Sequence, residues 1–134
     1  MSVNPYQSYL NVQYATAGQG TLILMMYDGS LRFCRAAVTA MEENDKAAKG
    51  DWLNKAFATV GELRRSLRPD VGGDVAKSLD EAYAFTCRQI TLANVSGKRE
   101  YVDNAITVLE QLRDAWRQII KQSRQDVHPT TTVA

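Results

Sequence analysis

Apolar residues return every three or four positions in four separate stretches between Gly20 and Lys121, and nowhere do they alternate in the two-residue rhythm of a half-buried strand. The cleanest stretch places Val102, Ile106, Leu109, Leu112, Trp116, Ile119 and Ile120 on one side of a helix. Arg99, Asp103, Thr107, Glu110, Asp114, Arg117 and Lys121 take the other side. Four helices of about 20 residues, each about 30 Å long and joined by short connections, specify an antiparallel bundle. The expected architecture is therefore all-α: an N-terminal aromatic arm over 1–17, a four-helix bundle over 18–121, and a flexible C-terminal tail over 122–134.

The breaks between stretches carry their own chemistry. After a first helix from about Gly20 to Glu43, the segment ENDKAAKGDW offers Asp45 or Asp51 as the cap of the second helix, and Asp45 is favoured, with Gly50 tolerated in the first turns. Leu53, Ala56, Phe57, Val60, Leu63 and Leu67 form the second apolar face. RPDVGGD ends it, because proline disfavours helix in the residue before it and paired glycines permit a reversal. Asp74 is placed to cap a third helix bearing Val75, Leu79, Ala82, Tyr83, Thr86, Ile90 and Ala93, and Asn94 with Gly97 supplies its end. The last residues, QSRQDVHPTTTVA, have no apolar period and are expected to be mobile.

The first helix holds more apolar surface than one seam requires. LILMMY, residues 22–27, is apolar all the way round, so a second surface must also be covered. One stripe, Leu22, Met25, Met26, Gly29, Phe33, Ala37 and Met41, is expected to face the core. The opposite stripe, Ile23, Leu24, Tyr27, Leu31, Cys34 and Val38, is then the surplus. Two readings fit it. The extra residues either widen the core where neighbours meet, or line a groove that a partner helix enters when an arm rich in tyrosine moves aside.

Composition and motifs exclude most chemistry. Sixteen Lys and Arg against fifteen Asp and Glu leave a net charge of +1, which gives no electrostatic case for nucleic acid or an acidic membrane surface. No apolar run approaches the roughly 20 residues needed to span a bilayer, and the start, MSVNPYQSYLNVQYATAG, has no basic stretch leading into a long apolar one. Cytoplasmic residence without membrane insertion is the expectation. Cys34 and Cys87 sit inside helical patterns, outside any CxxC cluster, and read as reduced, half-buried thiols. The one histidine, His128, lies in the tail, so neither a bundle metal site of Glu-x-x-His pairs nor a histidine-based triad is available. Gly18-Gln19-Gly20 and the GKR at 97–99 lack the rest of a phosphate-binding motif. No catalytic, cofactor-binding or metal-ligating residues are expected, and the protein reads as a non-enzyme.

The run YATAGQGTLILMMYDGSLRFCRAA from Tyr14 to Ala37, followed in order by LRRSLRPDVGGDVAKSL, AYAFTCRQITLAN and LEQLRDAW, resembles the flagellin-specific export chaperone family, FliS, over about residues 4–117. The resemblance implies a cytoplasmic four-helix bundle that binds the disordered C-terminal segment of flagellin, prevents premature polymerisation, and delivers the client to the flagellar type III export gate. It implies that the N-terminal segment covers part of the client site and contributes to contact with the export-gate component FlhA. The matching positions are Tyr6, Tyr9 and Leu10 in the arm, and Thr16, Ala17, Leu22, Tyr27, Asp28 and Gly29 at the signature turn. Where the family commonly reads Ser-Pro-Gly-Glu before the first helix, this chain has Gly18, Gln19, Gly20 and Thr21, a weaker start. Ile23, Leu24, Tyr27 and Leu31 are expected to bind the client, with Tyr6, Tyr9 and Leu10 as arm and export-gate contacts. The alternative is a self-associating structural or sensory four-helix bundle that uses the same stripe as the seam of a homodimer.

Overall fold

The structure of the protein, a computed structural model, describes residue 5, the backbone of 17–132, and the side chains of 18–122 other than 69 and 71. Five helices cover the continuous described stretch: α1 (Ala17–Glu42), α2 (Lys46–Arg65), a single turn α3 (Pro69–Gly72), α4 (Asp74–Ser96) and α5 (Arg99–Thr132). The four long ones make the expected antiparallel bundle. α1 packs against α2 and α5, α4 packs against the same two, and α1 and α4 therefore stand across the diagonal.

The connections follow from local chemistry. Asn44 takes a left-handed φ of 56°, which turns the chain, and Asp45 caps α2 as expected, its Oδ1 accepting from the Ala48 amide at 3.0 Å. Such a cap contributes about 1 kcal/mol. Gly97 ends α4 at φ 73°, its amide donating to the Ala93 carbonyl at 2.9 Å, a conformation glycine adopts without steric cost. Asp74 does not cap α4. The turn of α3 and the positive φ of Gly73 complete the reversal one residue earlier, so Gly73 is the cap position and Asp74 lies in the first turn, where its charge meets the helix N-terminus. The boundary expected after Lys121 falls inside α5, whose backbone continues to Thr132.

The core corrects the expectation for α1. Ile23, Tyr27 and Leu31, expected on the surplus face, are 6%, 4% and 0% exposed, with Cys34 and Val38 buried alongside them and Leu24 half-buried at their edge. Leu22 and Met25, expected inside, are 56% and 62% exposed. Helical phase separates the two stripes, but only packing chooses between them. The inner stripe is buried from Ile23 to Val38, whereas the other is split: Gly29 and Ala37 are buried as expected, Leu22 and Met25 are not.

Polar groups inside the bundle are partnered. The Tyr27 and Tyr83 hydroxyls meet at 2.5 Å across the α1–α4 diagonal, with ring centroids 6.5 Å apart. Trp116, buried as expected, donates its indole N–H to the Gly20 carbonyl at 2.9 Å and ties the start of α1 to α5. Ser30 and Thr86 turn their hydroxyls back to the carbonyls of Met26 and Ala82. Each buried donor or acceptor left unpaired would cost about 1–3 kcal/mol.

Leu31→Ala is expected to cost about 2–5 kcal/mol of unfolding free energy and Met25→Ala less than about 0.5 kcal/mol, read from urea midpoints. Burial pushes the Cys34 thiol from the ordinary 9.0 up to about 12, against a smaller downward pull from Arg35. Its protonated form therefore favours folding fully below about pH 9, and that contribution is lost as pH rises from there towards 12. The fall in urea midpoint over this range is expected to be shallower in Cys34→Ala.

Candidate apolar docking face on the first helix

The outward side of α1 exposes two large apolar side chains, Leu22 and Met25. Leu22, Met25, Arg32 and Ala36 form a line along one side of α1, the first three exposed and Ala36 half-buried, while Gly29, in the same phase, is buried. Leucine and methionine exposed on that line belong to a helix whose opposite side is sealed. Met25 suits a surface that must accept varied partners, because its unbranched thioether adapts to shape.

The two borders of the line differ. Towards α2, Phe33 stacks on Trp52 with ring centroids 5.9 Å apart and planes at 24°, and Lys55 holds its Nζ 4.7 Å from the Trp52 ring centre. Met26 and Phe33 are half-buried on this side, so they form an apolar shelf beside the exposed line. Towards α5 the border is ionic. Asp28 lies 3.9 Å from Arg113 and 3.6 Å from Arg117, Arg35 bonds Glu110 at 2.8 Å, and Glu42 lies 3.9 Å from Arg99. These pairs fix the edge and the register of α1 on α5 more than they add stability, since exposed pairs are worth about 0–1 kcal/mol.

Gly29 is buried in the middle of this side, and a Cβ built on it meets only the Arg32 Nη2, at 4.0 Å, so a methyl group fits there.

Of the residues expected to bind a client, Ile23, Tyr27 and Leu31 support this face from beneath and Leu24 lies at its edge. Tyr6, Tyr9 and Leu10 lie outside the described residues. Leu22 and Met25 are the surface residues missed. The signal that marks their stripe as outward was present in the sequence, because Arg32 shares its phase. Other exposed apolar residues, Phe57 on α2 and Leu92 and Val95 on α4, sit on other sides of the bundle. Among the described residues no group of three His, Cys, Asp or Glu is placed to hold a metal, and no helix is long and apolar enough to cross a membrane. The face can bind by shape and desolvation.

Comparison with known proteins accords with this architecture. A solved structure described as "Crystal structure of flagellar chaperone from bacteria" superposes with a TM-score of 0.73 at 21% identity, covering 87% of this chain and 95% of that one, a likeness of fold. The flagellar secretion chaperone FliS of Bacillus subtilis is 31% identical over 98% of this chain and 97% of its own length. That of Vibrio cholerae is 32% identical over 80% and 79%. The family model described as "Flagellar protein FliS" matches residues 2–123, and with these relatives it shows that the chain belongs to the FliS family of flagellar secretion chaperones.

Proposed function

We propose that the protein is a cytoplasmic, non-enzymatic export chaperone. It binds the disordered C-terminal segment of flagellin on the outward face of α1, prevents premature polymerisation and delivers the client to the type III export gate. The observation that carries this reading is the exposure of Leu22 and Met25 on a helix whose opposite side is the bundle core. The mechanism is occlusion. A flagellin segment that lays its apolar side against this face cannot offer that side to another copy.

The energetics permit it. Burying a large apolar side chain is worth about 1.5–3 kcal/mol, and Leu22 and Met25 begin more than half exposed, with Met26 and Phe33 partly so. Together they supply on the order of 5 kcal/mol before contacts further along the bundle are counted, enough to meet an ordering cost of about 2–5 kcal/mol for a disordered client. In the same reading Tyr6, Tyr9 and Leu10 cover the face when no client is present and take part in contact with FlhA.

Calorimetric titration with a flagellin C-terminal peptide is expected to give one-to-one binding with a negative heat-capacity change, weakened at least about tenfold in the double variant Leu22→Ala/Met25→Ala. Absence of binding by the unaltered protein would sink the proposal, and a tight dimer that keeps its stoichiometry when peptide is added would favour the self-associating bundle instead. Gly29→Ala is expected to stabilise the fold by about 0.5–1 kcal/mol in urea unfolding, because the added methyl fits.

A further inference from the structure

We infer that Arg32 is the polar anchor of this face: its guanidinium receives a carboxylate carried by an incoming amphipathic helix whose apolar side packs on Leu22 and Met25. The inference rests on the client-binding reading above and names the chemistry that the client must bring.

The placement comes first. Arg32 is seven residues after Met25 and three after Gly29, so it stands on the same outward line. Its Nη2 lies 4.0 Å from the position a Cβ on Gly29 would take. The nearby acidic groups are already engaged. Asp28, one helical turn before Arg32, is shared by Arg113 and Arg117, and Glu110 is bonded by Arg35. Among the described residues no carboxylate lies within ion-pair distance of Arg32. Lys55, on the far side of the apolar shelf, also has no carboxylate partner there, its ammonium resting against Trp52. The face therefore carries uncompensated positive charge on its line, at Arg32, and on its α2 flank, at Lys55, although the whole chain has a net charge of only +1.

Charge also separates a client from the chain's own arm. No Asp, Glu, Lys, Arg or His occurs before Asp28. The N-terminal segment has apolar and aromatic residues with which to cover Leu22 and Met25, but no side chain that can neutralise Arg32. A client bearing a carboxylate gains an interaction that the arm lacks, and guanidinium with carboxylate is the pairing best suited to paired, directional hydrogen bonds. Arg32 thus favours replacement of the arm by an acidic amphipathic segment and disfavours a basic one.

The experiment is a fluorescence-anisotropy titration of the full-length protein, unaltered or as Arg32→Glu or Arg88→Glu, with the flagellin C-terminal peptide and with the same peptide after its Asp and Glu are changed to Asn and Gln. Circular dichroism establishes that each variant is folded. Arg88 is an exposed cation on α4, across the diagonal, and serves as the control. The neutralised peptide should bind the unaltered protein roughly tenfold more weakly than the acidic one. Arg32→Glu should weaken the acidic peptide by a similar factor and leave the neutralised peptide nearly unchanged, and Arg88→Glu should leave both unchanged. Binding of the acidic peptide should also weaken as salt is raised to about 1 M, where the screening length is about 3 Å. Equal affinities for the two peptides, or equal losses in the two variants, overturn the inference while leaving client binding intact. Failure of the unaltered protein to bind either peptide removes both. A peptide-free dimer that Arg32→Glu dissociates assigns the carboxylate to a second copy and likewise overturns it.

Discussion

The hydroxyls of Tyr27 and Tyr83 meet at the centre of the bundle, and the rotation of α1 depends on that meeting. A buried phenol must find a partner, and Tyr27 finds one across the diagonal on α4. Once Tyr27 points inward, helical geometry places Met25 about 200° and Leu22 about 140° away from it around the helix. Ile23, Leu31, Cys34 and Val38 follow Tyr27 into the core, and Leu22 and Met25 are left outside. The outward exposure of Leu22 and Met25 is a consequence of how the core is satisfied.

The seams then hold that rotation in place. Trp116 reaches the Gly20 carbonyl at one end of α1, Arg35 and Glu42 meet α5 further along, and Phe33 stacks on Trp52 of α2. None of these contacts is large by itself. Together they oppose turning of α1 in either direction, so an apolar line that water would drive inward stays outside. A chaperone of this kind needs that rigidity, since a face free to rotate would bury its own apolar residues in preference to a client's.

Polar groups in the interior are spent on partners: phenol with phenol, indole with carbonyl, hydroxyls with their own helix. The best-formed exposed pair, Arg64 with Asp80, joins α2 to α4, its hydrogen bond holding the Asp80 carboxyl below the usual carboxylate range. It reads as a clamp between helices. What the bundle displays outward is shape, apolar area and a few charges, the currency of recognition between chains.

The amino-acid order alone determined the four helices, their antiparallel arrangement, the Asp45 cap, the glycine exit at Gly97 and the burial of Trp116, because each depends on spacing or on chemistry within a few residues. It also determined that the first helix has apolar residues to spare. Which of its stripes is the spare one was decided only in three dimensions, since periodicity fixes the angle between Tyr27 and Met25 but not the direction in which either points. That direction depends on Tyr83, more than fifty residues away in the chain, and on the side chains of α2 and α5 that close around the inner stripe. The clue available locally was Arg32, a charged residue in phase with Leu22 and Met25; its meaning became legible only when packing left all three exposed.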